Sequence, residues 1–245
     1  MKFGVQLYNF RNEMNEDFKG TLKKIAELGF DGVEFAARYG NIPPAELAAY
    51  VKELGLECCG TMFSPDELEN PSSQAWEYAK ELNSPAVTIS SMTDFSKNWQ
   101  TVMESCLKIS KNAVTHGITF SYHNHWGEFT DIQGVPAMYR IMDAPETANI
   151  FLEPDVCWLT RAGIDPAAFI GKYAKRIKQI HLKDIVVPND PATTAVLGTG
   201  TVDLKGAFEA ACKIACPWVI YEQDNTPDPF DSAIKSLAYM KSLAK

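Results

Sequence analysis

Short apolar runs alternate with longer amphipathic segments from one end of the 245-residue chain to the other. Brief apolar or β-branched runs bounded by turn formers read as strands; segments with an apolar position at about every third or fourth residue read as helices. The pattern predicts strands at Phe3–Tyr8, Gly32–Ala36, Glu57–Met62, Ala86–Ser90, Ile118–His123, Ile150–Asp155, Ile177–Leu182 and Val219–Glu222. Helices are expected between them, near 17–28, 44–54, 73–82, 96–115, 133–142, 166–174, 203–214 and 230–243. Eight of each in alternation is the count of an α/β fold, a single-domain (β/α)8 TIM barrel over residues 1–245. Pro43-Pro44 and Asp165-Pro166 place proline at a first helical turn, and Gly29, Gly55 and Gly117 stand where a helix ends in a left-handed residue. The longest predicted loop runs from Val186 to Val202 and contains Pro188-Asn-Asp-Pro191 and Gly198-Thr-Gly200.

Active sites of such barrels lie at the C-terminal ends of the strands. The residues expected there are Gln6 and Tyr8, Glu34, Thr61, Ser90-Ser91, His123 with His125, Glu153 with Asp155, His181 with Lys183, and Glu222 with Asp224. Polar residues at nearly every strand end are hard to explain as packing. Asp155, His181 and Glu222 end predicted strands six, seven and eight and should converge on one face. Mixed imidazole and carboxylate donors suit a divalent ion such as Mn, Co, Zn or Mg, with open positions for substrate oxygens.

Charge narrows the partners. There are 31 acidic against 23 basic residues, for a net charge of −8, which opposes attraction to nucleic acid or an anionic membrane. Neither a signal peptide nor an apolar run of the roughly 18 residues a membrane helix needs is present, so a cytoplasmic protein is expected. The six cysteines form no C-x-x-C pair and read as buried reduced thiols. A homo-oligomer is compatible with all of this.

Several segments together resemble the xylose isomerase-like TIM-barrel superfamily, the sugar phosphate isomerase/epimerase group. They are Glu27-Leu-Gly-Phe-Asp-Gly-Val-Glu34, His123-Asn-His125, Leu152-Glu-Pro-Asp-Val-Cys-Trp158 followed by Ala162-Gly163, His181-Leu-Lys-Asp184, Gly198-Thr-Gly-Thr-Val-Asp203, and Tyr221-Glu222. They run in the family's order over the whole chain. The resemblance implies a divalent metal held by strand-end ligands, with Asp155, His181 and Glu222 at matching positions, and a small-molecule sugar or keto-sugar as substrate.

Two departures bear on the reaction. The glutamate that usually ends strand five, both ligand and acid/base, reads His123; the histidine of the usual Asp-x-x-His reads Trp158. Either His123 ligates the metal, or Glu128 folds back to supply the fourth ligand and frees His123 or His125 as a general base. His123, His125 and Glu222 are therefore the catalytic candidates. Gln6, Glu34, Glu153, Lys183 and Trp126 are the candidates for substrate contact. Proton abstraction next to a carbonyl, followed by return of the proton, gives isomerisation or epimerisation; departure of a neighbouring oxygen substituent gives a lyase or dehydratase. A catalytically silent sugar-binding barrel is the third reading. An abasic-site nuclease of the same superfamily is disfavoured, because no histidine precedes position 116. Blander roles stand beside these: C-capping for His116, a surface ion pair for Lys183-Asp184, and packing for Trp126, Phe129 and Trp158. The Gly198-Thr-Gly200 loop matches no phosphate-cradle motif.

Overall fold

The structure, a computed structural model, describes residues 1–245. Its eight barrel strands are β1 (Lys2–Gln6), β2 (Gly32–Ala36), β3 (Glu57–Met62), β4 (Val87–Ile89), β5 (Phe120–His123), β6 (Phe151–Glu153), β7 (Gln179–Leu182) and β8 (Trp218–Tyr221). They pair in the order β6-β5-β4-β3-β2-β1-β8-β7, and every pairing is parallel. Two isolated bridges, Leu152 with Ile177 and Asp155 with His181, close the ring between β6 and β7. The TIM barrel expected from the alternation is formed, and 60 buried apolar side chains make one continuous core between its sheet and the surrounding helices.

Local chemistry sets the helix borders. Pro44 opens the helix Pro44–Glu53. Asp165 caps Pro166–Lys172 by accepting from the backbone N–H of Ala167 and Ala168, which removes two of the donors that a helix start leaves unpaired. Gly117, left-handed at φ 67°, ends the 22-residue helix Phe95–His116. There the His116 Nε2–H donates to Pro71 O (3.0 Å) and the ring stacks on Trp76, a structural role.

Some elements differ from the sequence expectation. The helix expected from 133 begins only at Ala137, because Gln133 and Gly134 both take positive φ and turn a short ribbon, Asp131–Ile132 against Val135–Pro136. Two consecutive left-handed residues make the hairpin turn that matches strand twist. The predicted 186–202 loop is partly ordered by a second ribbon, Asp184–Ile185 against Thr194–Ala195. Short helices at Arg11–Glu16, Pro65–Glu69 and Val156–Arg161 were not expected. No helix is long and apolar enough to cross a membrane.

Candidate metal centre and active site

At the C-terminal mouth of the barrel lies a cavity of about 880 Å³. His123, His125, Trp126, Trp158, Lys183, Glu222 and Asp224 line its inner part, with Gln6 and Tyr8 from the start of the chain. Ligand atoms of His123, Asp155, His181 and Glu222 lie within 4.8 Å of one another, and all four residues are buried. The strands bring them there in alternation: Gln179, His181 and Lys183 are two apart and so project to one side of β7 and its extension.

Each member is held. Asp155 caps the helix Val156–Arg161, its Oδ1 accepting from the N–H of Cys157 (2.8 Å) and Trp158 (3.1 Å). Its Oδ2 has no aligned donor, although Lys183 Nζ lies 3.1 Å away. His181 contacts Glu222 Oε2 through Nδ1 (2.8 Å) and Glu34 Oε2 through Nε2 (2.6 Å). His123 Nδ1 is 3.5 Å from Glu153 Oε2, and both atoms lack a hydrogen-bond partner. Lys183 Nζ reaches Asp155, Glu222 (2.8 Å) and Asp224 (3.1 Å), so it is a buried cation among three carboxylates and not half of a surface pair with Asp184.

Burial and charge displace these groups from their usual pKa ranges. Burial, reinforced by the charge of Glu153, pushes Glu34 well up. Burial acts on Glu153 in the same sense, but His181 and His123 outweigh it and leave it low. His181 is held above the ordinary histidine range: burial opposes its charge, while Glu153 and Glu34 more than compensate. Burial likewise opposes ionisation of Glu222, and Lys183 with His181 overcomes it, keeping the carboxylate charged.

These residues fit a divalent ion. Asp155, Glu222 and Asp224 surround the single ammonium of Lys183, an acidic excess that further positive charge would offset. His123 Nε2 lies 4.0 Å from Asp155 Oδ2, a buried oxygen without a hydrogen-bond partner, and the two offer nitrogen and oxygen donors of the kind that Mn, Co and Zn accept.

The structure moves three expectations. Glu34 and Glu153 have no exposed surface and do not line the cavity, so neither is placed to meet substrate; they contact His181 from behind instead. Glu128 stands outside the four-residue cluster, beside His125 and hydrogen-bonded by Tyr122. Of the aromatic residues, Trp126 and Trp158 face the cavity with centroids 5.0 Å apart, whereas Phe129 packs on Tyr139 and Phe169. Gln179 was not foreseen. Its Nε2 donates to both Glu34 (3.1 Å) and Glu153, and its position two residues before His181 was the available signal. Gly60 was also missed: a Cβ there would come within 2.1 Å of Glu34 Oε1 and 2.7 Å of Gln179 Nε2, so the buried network needs a glycine.

A profile of the xylose isomerase-like TIM-barrel family matches residues 22–243. The chain is 25% identical over 295 aligned positions to the inosose dehydratase of Salmonella typhimurium strain LT2, covering 100% of this chain and 97% of that protein. Among solved structures, a sugar phosphate isomerase/epimerase from Parabacteroides distasonis superposes with a TM-score of 0.80 at 20% identity, over 100% of both chains. The IOLI protein with a bound zinc atom superposes with a TM-score of 0.78 at 13% identity, over 99% of this chain and 98% of that one.

Proposed function

The chain belongs to the xylose isomerase-like TIM-barrel family, and on that premise we propose that it is a divalent-metal-dependent enzyme that removes a proton next to the carbonyl of a keto-sugar or keto-polyol and expels water. The observation that carries the reading is the buried cluster of His123, Asp155, His181 and Glu222 at the foot of the cavity. A bound ion would supply positive charge against the negative charge that develops on adjacent substrate oxygens.

The chain's own residues supply the rest. His125 lines the cavity, and an imidazole, with one nitrogen that accepts a proton and one that carries it, is suited both to take the carbon-bound proton and to return it to the departing hydroxyl. A C–H and a C–O bond break, a C=C bond forms, and water leaves. Trp126 and Trp158 offer apolar faces to a ring. Lys183, held cationic because Asp155, Asp224 and Glu222 outweigh the cost of its burial, is placed to bind a substrate oxygen rather than to donate a proton.

Dehydration is favoured over isomerisation by two things: the similarity to an inosose dehydratase, and His123 in place of the strand-five glutamate that a two-glutamate proton exchange would use. The likeness to a sugar phosphate isomerase/epimerase supports isomerisation or epimerisation as the second reading. The test is incubation of metal-loaded protein with an inosose and a keto-sugar panel in deuterated water, followed by mass spectrometry. Dehydration yields a product lighter by one water, abolished by chelation and restored by Mn or Co. A product that differs from substrate only by deuterium makes the enzyme an isomerase or epimerase. No turnover together with no bound metal makes it a silent sugar-binding barrel.

A further inference from the structure

Beside the main cavity lies a smaller one of about 310 Å³, and Met92, His125 and Trp126 line both. Glu128 lines only the smaller one and has no exposed surface. Its Oε1 accepts from the Tyr122 hydroxyl (3.2 Å), while its Oε2 has no partner. Nδ1 of His125 lies 3.8 Å from Glu128 Oε1 and also lacks a partner. Oε1 accepts from Tyr122 and has a second lone pair available to the open Nδ1, so a buried nitrogen without a partner lies beside a buried carboxylate. Glu128 lies in the tight turn Gly127–Phe129, which begins two residues after His125, and the His125 ring sits edge-on to Trp126 with centroids 6.2 Å apart.

We propose that Glu128 is a positioning residue for His125: it accepts the Nδ1–H, fixes that tautomer, and presents the Nε2 lone pair to the main cavity. The 3.8 Å separation is longer than a hydrogen bond, as contacts of this kind are before substrate draws an active site together. The smaller cavity then serves as the space in which the carboxylate is held away from substrate and from the ligand cluster. The catalytic consequence rests on the proton abstraction proposed above; the pairing itself does not.

The chain has only four histidines, so the ring nitrogens of His125 can be assigned by 15N NMR with a His125→Asn control. The wild-type protein is expected to show His125 protonated at Nδ1, and Glu128→Gln to shift the signal toward the Nε2–H form with metal content unchanged. In the same variant kcat should fall roughly 10²-fold, the lower range for general acid–base catalysis, with KM within about threefold; Glu128→Asp should recover part of it. A wild-type His125 protonated mainly at Nε2 overturns the proposal without any variant. So does an unchanged His125 spectrum in Glu128→Gln, or loss of bound metal from it, which would make Glu128 a ligand. A wild-type protein that turns over nothing defeats the reaction proposed above, and the ring spectrum still decides the pairing.

Discussion

Glu34 and Glu222 grip His181 from its two nitrogens, which gives the imidazole one orientation. Glu34 is itself held by Gln6 (2.7 Å) and Gln179 (3.1 Å). A carboxylate behind a ligating histidine sets its tautomer and raises its basicity, and loss of such a group costs roughly 10- to 100-fold in metal affinity. Glu34→Gln should therefore weaken Mn or Co binding by about that factor, measured by competition with a chelator, while leaving the fold intact. Affinity equal to wild type would remove Glu34 from any role in holding the ion. The four clustered residues were accessible in the sequence because histidine is scarce here and strand ends are countable. Depth was not. Glu153 ends its strand and Glu34 lies in the middle of β2, and whether such a side chain meets solvent or a neighbour's interior depends on the stagger of adjacent strands. That stagger includes the irregular register between β2 and β3 at Val33/Glu34, which no periodicity displays.

At the level of elements, the strands and long helices were legible because each buries a repeating face. The 186–202 segment was not, since beside its short ribbon its order comes largely from one side chain. Asp184 is buried, with Oδ2 accepting from the N–H of Gly198 (3.0 Å) and Gly200 (2.9 Å) and Oδ1 from Ile185 (2.9 Å) and Val202 (3.2 Å). The Gly-Thr-Gly sequence thus cradles an anion, but the anion is the protein's own carboxylate. A Cβ on Gly200 would fall 2.2 Å from Asp184 Oδ1 and 2.5 Å from Ile185 O, so the close approach requires glycine. Removing a buried charged acceptor of several N–H groups costs about 2–4 kcal/mol. Asp184→Ala should lower the denaturation midpoint accordingly and open residues 186–202 to limited proteolysis. Because Pro191 and Ala192 line the cavity, KM should rise as well. A variant as protease-resistant as wild type would show that the ribbon, and not Asp184, orders the segment.

For the molecule as a whole, the weak place in the barrel coincides with the candidate metal centre. The β6–β7 seam is closed only by isolated bridges, one of them between Asp155 and His181, and those residues belong to the buried cluster. An ion held by both would staple the seam as well as serve the chemistry. Ligand present at about 100 times its Kd stabilises the native state by roughly 2.7 kcal/mol, or about 5–10 °C in Tm for a chain of this size. The gain should be uneven: hydrogen exchange should slow most at 151–155 and 177–183 on either side of the seam, and least in β2 and β3, which lie farthest from it in the strand order. Acidification should diminish the effect, because an ion must displace the proton that Glu153 and Glu34 help His181 retain. Scanning calorimetry and exchange mass spectrometry with Mn and with a chelator measure both quantities. Protection spread evenly round the barrel, or no change in Tm, would separate the ion's site from the seam.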